Sequence, residues 1–260
     1  MRLHLVEELP RHGRPAERVV LVHGFTQTLA SMEPLAASLH DRFGVIRVDL
    51  PGHGVSPPPH AGFGEAAAVL GESGGTAAYV GYSLGGRLCL RLALDRPDLV
   101  GALVLVGASP GISDPAERAA RVASDGELAA EVERIGVERF LDHWLSNPLF
   151  ATLPPRLAGR ADRLANTPEG LAASLRLHGT GAQEPLWDRL GELRPPVLLV
   201  AGGLDQKFAG LAERMAAAIG PSAEVALVAG AGHAAHLERP TEVAALVRDF
   251  LDRAGSPPPT

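Results

Sequence analysis

Lysine is almost missing from this chain of 260 residues, where Lys207 stands alone beside 23 arginines. The basic residues are scattered singly and acids outnumber them, giving a net charge of −6, so no basic stripe exists to track a phosphate backbone. Nucleic acid is therefore not an expected partner. Cysteine is equally scarce: Cys89 is the only one, which excludes a disulfide framework, and its place on an apolar helix face reads as packing. Long hydrophobic runs are missing too. The longest, around Leu99 to Val106, is far too short to span a bilayer and suits a buried strand. The first eight residues carry acids early and no apolar leader core, so the reading is no signal peptide, no membrane insertion and a cytoplasmic location. The arginine bias accompanies abundant Ala, Gly and Pro, as a GC-rich genome would produce. An arginine here must be argued from its position.

What is present suits one large α/β domain, since 46% of the residues are hydrophobic. Short aliphatic runs at Val19–Val22, Val45–Val48, Ala77–Val80, Leu103–Val106, Val197–Val200 and Val225–Val228 alternate with helix-length amphipathic segments near 30–40, 84–95, 208–219 and 240–253. Nearly continuous apolar runs mark strands covered on both faces, so the expected core is a mostly parallel central sheet with helices on both faces. From about Pro110 to Leu190 this rhythm stops, and Ala, Arg, Glu and Leu predominate without a convincing strand. The expected division is a core of residues 1–109 and 191–254, with a helical cap insertion over 110–190 at the carboxyl ends of the strands, where ligands enter such sheets. The tail 255–260 is expected to be disordered.

Chemistry concentrates at strand ends. Gly81-Tyr-Ser-Leu-Gly85 follows a strand and opens a helix, the context that lifts a serine hydroxyl out of a strained turn, although small residues around a serine also make ordinary turns. Asp205 follows the strand ending at Val200, and His233 follows the strand ending at Val228. Serine, acid and histidine in this order at these positions read as the triad Ser83, Asp205 and His233, against a capping aspartate and a loop histidine as the plainer alternatives. Backbone N–H groups of Leu84, at the helix start, and Phe25, after the strand Val19–Val22, are candidates for an oxyanion hole. His236 lies three residues past His233 but lacks the accompanying carboxylate of a zinc signature.

These elements resemble the α/β-hydrolase superfamily across nearly the whole chain, from His23-Gly-Phe25 through Asp49-Leu-Pro-Gly-His-Gly54 to Gly232-His233, and imply its fold. Within it, Gly81-Tyr-Ser-Leu-Gly-Gly-Arg87, Gly179-Thr-Gly-Ala-Gln183 with Leu186-Trp187, and Asp205-Gln-Lys-Phe208 resemble the 2-succinyl-6-hydroxy-2,4-cyclohexadiene-1-carboxylate synthases of menaquinone biosynthesis. That resemblance implies a lyase that eliminates pyruvate from a small polycarboxylate substrate, with Ser83 as a general base and no metal or organic cofactor. It also implies substrate contacts from Arg87, Arg121, Tyr82 and Trp144, with Arg163 the nearest match for a further cap arginine. A serine esterase or carbon–carbon bond hydrolase would use the same triad, and a ligand-binding protein without catalysis is a third class the fold permits.

Overall fold

The computed structural model describes residues 2–10 and 17–254, so the expectation for the tail 255–260 lies outside the described residues. Seven strands form one sheet: β1 Leu5–Glu8, β2 Arg18–Val22, β3 Gly44–Val48, β4 Ala77–Tyr82, β5 Val100–Val106, β6 Val197–Gly202 and β7 Ala223–Val228. Their spatial order is β1-β3-β2-β4-β5-β6-β7, with β1 antiparallel to β3 and every other pairing parallel. The sheet is thus mixed but mostly parallel, as the aliphatic runs imply. Those runs are buried because both faces are covered. Along β4, Tyr79 enters one hydrophobic cluster while Val80 and Tyr82 enter the other, as the two-residue period of a strand requires.

Nine α-helices surround the described sheet: α1 Glu33–Leu39, α2 Phe63–Gly74, α3 Leu84–Asp95, α4 Pro115–Leu145, α5 Arg160–Arg163, α6 Pro168–His178, α7 Gln206–Ile219, α8 Ala235–Glu238 and α9 Pro240–Ala254. Side chains of α2, α3 and α7 share a cluster with one face of the sheet, and those of α1, α8 and α9 share one with the other. Three elements of the core escape the sequence reading: the edge strand β1, helix α2 and the four-residue α8. The edge strand β1 is only four residues long and half-buried. Helix α2 contains Gly64, Gly71 and Gly74, which weaken its helical signal, yet Gly71 is needed: a Cβ there would meet the Leu92 side chain of α3 at 2.5 Å.

Between β5 and β6 the described elements are all helical. Helix α4 starts at Asp114, whose side chain accepts from the Glu117 N–H at 2.7 Å, and is broken at Gly136, whose φ of 79° lies in the left-handed region. The break lets both halves pack on α6 through Ala129, Val132, Phe140, Leu141, Leu171, Ala172 and Leu175. Phe25 and Trp144 sit against this third cluster, so the helical segment reaches down to the loop that follows β2.

Candidate active site

The β4–α3 junction dictates the site. Ser83 has φ 49° and ψ −110°, a conformation that costs a non-glycine residue about 1–3 kcal/mol and persists only where neighbours enforce it. They do so here by contact and hydrogen bonding. A Cβ on Gly81 would lie 2.6 Å from the Gly85 carbonyl carbon, so the chain can fold back this tightly only with glycine. The Ser83 N–H donates to the Val106 carbonyl, and the Ser83 carbonyl accepts from Arg87 N–H, both at 2.9 Å.

His233 Nδ1 lies 2.9 Å from Asp205 Oδ2, and His233 Nε2 lies 3.3 Å from Ser83 Oγ. Donation of the Nδ1 proton to Asp205 leaves Nε2 to accept from the serine hydroxyl. Asp205 also caps α7, its Oδ1 accepting from the Phe208 N–H at 3.2 Å. The capping and relay roles are therefore compatible, one oxygen each. Phe208, Tyr82 and Phe150 surround the imidazole, with ring centroids 4.4, 5.4 and 6.2 Å away.

Leu84 opens α3, so its N–H has no acceptor within the helix. In the loop after β2, the Gly24 N–H donates to Gln27 Oε1 at 2.9 Å and the Thr26 N–H to His53 Nε2 at 3.3 Å. The Phe25 N–H between them has no acceptor among the described residues. Two buried histidines hold this loop. His23 donates from Nδ1 to the Gly24 carbonyl at 2.8 Å and accepts from the Leu50 N–H at 3.0 Å through Nε2. Burial keeps both imidazoles neutral, lowering His23 to about 4 and His53 well below the ordinary histidine value. Only the neutral form can accept through a ring nitrogen, so desolvation here maintains the loop.

The pair Phe25 and Leu84, together with Ser83 and His233, line an inner cavity of about 380 Å³. Ser83 also lines an outer cavity of about 840 Å³, and Arg87, Arg121, Thr180, Lys207 and Phe208 are shared by both. The serine thus stands at a waist between two chambers. Arg87 is buried there, donating at 2.9 Å to both Gln183 Oε1 and the His178 carbonyl, and burial lowers its guanidinium to about 9. Its hydrogen-bond partners are neutral, and the carboxylate that acts on it from further off, Asp125, is itself paired with Arg121. Arg121 spends Nε on Asp125 at 2.8 Å. Tyr82 and Trp144 line the inner chamber, the tyrosine ring packing 4.1 Å from that of His236 and the indole 5.0 Å from Phe25. The Trp144 indole N–H is buried without a partner among the described residues.

Arg163 is placed differently from the expectation of a substrate contact, since it lines neither chamber. It is buried behind the loop, donating to the Thr26 hydroxyl and, at 2.7 Å, to the Ala158 carbonyl, with the Phe25 carbonyl at 3.5 Å. Thr26 itself has φ 64°, so Arg163 braces a strained residue next to Phe25. Sequence reasoning missed this brace and its neighbour Asn166, which donates to the Thr26 carbonyl at 2.7 Å. It also left Lys207 unassigned, although composition had singled it out. Among the described residues no group of three or more His, Cys, Asp or Glu side chains is disposed to hold a metal ion, and no helix is long and apolar enough to cross a membrane.

Fold and relay together define a class. Residues 19–246 match the model of the alpha/beta hydrolase family, and the chain belongs to that family. Within it, the chain is 36% identical over 251 residues to a putative 2-succinyl-6-hydroxy-2,4-cyclohexadiene-1-carboxylate synthase of Bacillus subtilis (strain 168), covering 91% of this chain and 90% of that one. It is 34% identical over 255 residues to the 2-succinyl-6-hydroxy-2,4-cyclohexadiene-1-carboxylate synthase of Salmonella schwarzengrund (strain CVM19633), covering 94% and 96%. Among solved structures, MenH from S. aureus superposes with a TM-score of 0.90 at 29% identity, covering 97% of this chain and 99% of that one. A thermophilic esterase from Thermogutta terrifontis matches with a TM-score of 0.83 at 24% identity over 98% and 94%, a likeness of fold.

Proposed function

We propose that this chain is a 2-succinyl-6-hydroxy-2,4-cyclohexadiene-1-carboxylate synthase, a carbon–oxygen lyase that removes pyruvate from 2-succinyl-5-enolpyruvyl-6-hydroxy-3-cyclohexene-1-carboxylate. The observation that carries this reading is the cationic waist. In an acidic protein, Arg87, Arg121 and Lys207 line both chambers together with Ser83, and among the described residues only Arg121 of the three is paired with a carboxylate. A neutral ester has no use for such a field. A polycarboxylate does, because charge-assisted hydrogen bonds to guanidinium and ammonium groups offset its desolvation.

In this reading His233, oriented by Asp205, takes the Ser83 proton, and the alkoxide removes the proton beside the succinyl ketone. The N–H groups of Phe25 and Leu84 receive the negative charge on the enolate oxygen. Electrons then move through the ring double bond and expel the enolpyruvyl oxygen from the carbon directly across the ring. The leaving enolate takes a proton and becomes pyruvate, while the ring becomes a conjugated diene. Substrate contacts come from Arg87, Arg121, Tyr82 and Trp144, while Arg163 acts through the loop it braces. The segment 110–190 is the cap that closes over the ring.

The test supplies the enzymatically generated substrate and follows pyruvate through a coupled dehydrogenase. Release no faster than the spontaneous rate would sink the synthase reading. A stoichiometric burst from an activated ester, followed by rapid turnover, would instead point to acyl transfer by the same relay.

A further inference from the structure

The outer chamber is larger than the inner one and carries charges that the relay does not use. Helix α7 turns one face towards it: Lys207, Gly210, Leu211 and Arg214 all line it, and their spacing of three, four and seven residues is that of a single helical stripe. Such a stripe is ordinarily apolar where it covers a cavity. Here it begins and ends with cations. Lys207 stands 6.0 Å from the centroid of the Phe208 ring, and the Arg214 guanidinium lies 4.5 Å above the ring of Trp187. Neither is ion-paired with a carboxylate among the described residues. Trp187 is itself fixed by donating its indole N–H to the Gly111 carbonyl at 3.1 Å, so Arg214 rests on a fixed platform. The acids facing the same space are Asp114, already occupied in capping α4, and Glu117.

Which part of the substrate enters this chamber follows from the bonds that change. Phe25 and Leu84 line only the inner chamber, so the ketone that becomes an enolate must point inward, and the succinyl chain goes with it. Ser83 stands at the waist and takes the proton from the carbon bearing that chain. The carbon that loses its oxygen lies directly opposite on the ring, so the leaving group projects away from the inner chamber. On this basis, and resting on the synthase reading above, we infer that the outer chamber is a leaving-group subsite in which Lys207 and Arg214 bind the enolpyruvyl carboxylate. As the carbon–oxygen bond breaks, its electron pair stays on the departing oxygen. Lys207 and Arg214 then hold an anion that still bears its carboxylate after bond cleavage, which makes the chamber the exit path for pyruvate.

The experiment compares the full chain with Lys207→Met, Arg214→Met and the double variant, following diene absorbance with pyruvate or succinate as the inhibitor. Both side chains are exposed, and thermal melting checks that the variants remain folded. The double variant should weaken inhibition by pyruvate about tenfold or more, the loss expected for a charge-assisted hydrogen bond, and inhibition by succinate much less, since of the two cations only Lys207 also borders the inner chamber. Lys207→Arg should keep most of the pyruvate affinity. Unchanged pyruvate inhibition in the double variant overturns the subsite, and so does equal weakening of both inhibitors, which would mark a diffuse field. If the wild-type chain forms no diene, the synthase reading fails first. Calorimetric titration of pyruvate into wild-type and double-variant protein then decides the subsite alone: binding lost with the two cations sustains a carboxylate site, and binding indifferent to them removes it.

Discussion

Replacing Gly85 by alanine adds one methyl group at the point where α3 touches the end of β2. Its Cβ would lie 2.5 Å from the His23 carbonyl oxygen and 2.8 Å from the Val22 carbonyl carbon, with the Val22 carbonyl oxygen also in contact. Ordinary contact begins near 3.4 Å, so the backbones must part by about 0.9 Å at His23, and every obstructing atom is backbone that no rotamer change can move. His23 immediately precedes Gly24 and Phe25, while Gly85 immediately follows Leu84. The displacement therefore separates the two N–H groups proposed to share one oxygen. A misplacement near 1 Å in reacting geometry costs on the order of 10²-fold in rate, whereas the overpacking costs about 1–3 kcal/mol of stability. Gly85→Ala should remain folded, melt a few degrees lower and lose about 10²-fold in kcat for pyruvate release with little change in KM. The combination is the test: near-normal kcat in a folded variant would refute the claim that these two backbone segments form one site.

Ser83→Ala should reduce turnover by about 10²–10⁴-fold, the range for a positioned general base, and leave substrate affinity measured by calorimetry intact; near-wild-type turnover would rule the base out. Arg87→Met should raise KM about tenfold or more through loss of a buried carboxylate partner, with melting changed little because the buried charge is itself costly; an unchanged KM would argue against the clamp. For Arg163→Met the expected split is the reverse, a fall in kcat of about tenfold or more without a matching rise in KM, because the lost contacts brace Thr26 and Phe25 and not the cavity. Acid should weaken the fold. Burial lowers His23 and His178 to about 4, His236 to about 3 and His53 well below the ordinary 6.5. Between those values and 6.5 the unfolded chain binds protons that the folded chain refuses, so stability is lost as pH falls, by about 1.4 kcal/mol per pH unit for each histidine. Urea unfolding from pH 7 to 4.5 checks this, and His236→Gln should remove one proton's share of the slope; a flat profile would contradict the burial argument.

The residues legible in the sequence are those whose position in the fold is encoded locally. Ser83, Asp205 and His233 each follow an aliphatic run, and a buried parallel strand is the plainest pattern a sequence carries, so strand ends and the residues just past them can be read. Cys89, on the apolar face of α3, is likewise buried in the core, as its surroundings imply. Helix α2 was hidden because its glycines serve close packing on α3 and suppress the propensity that would reveal it. The bracing contacts of Arg163 were hidden for a different reason. Its partners Thr26 and Phe25 are more than 130 residues away in sequence, and nothing near position 163 distinguishes an arginine bracing a loop from one reaching a cavity. The Arg121–Asp125 pair, at helical i,i+4 spacing, was within reach of sequence reasoning but was not drawn.

Under the proposed synthase reading, the burial of Arg87 gives one relay a reason to favour elimination over ester hydrolysis. Many arginines of this protein are paired with carboxylates near the surface, as Arg96 is with Asp98 or Arg176 with Glu133. Arg87 is buried and hydrogen-bonded to an amide oxygen and a backbone carbonyl, neutral acceptors that satisfy its N–H groups without cancelling its charge. Desolvation lowers it only to about 9, so at neutral pH the charge persists in surroundings where screening is weak. An uncancelled buried cation is a cost in the empty protein and is relieved when an anion arrives. Placed beside the base, that relief grows as the substrate's own negative charge grows. Proton abstraction next to a ketone creates such a charge before any bond to Ser83 forms, whereas attack on a neutral ester gains only at the tetrahedral stage, which the two backbone N–H groups already serve. On the proposed synthase reading, the cation one helical turn past the serine would select the reaction as well as the substrate.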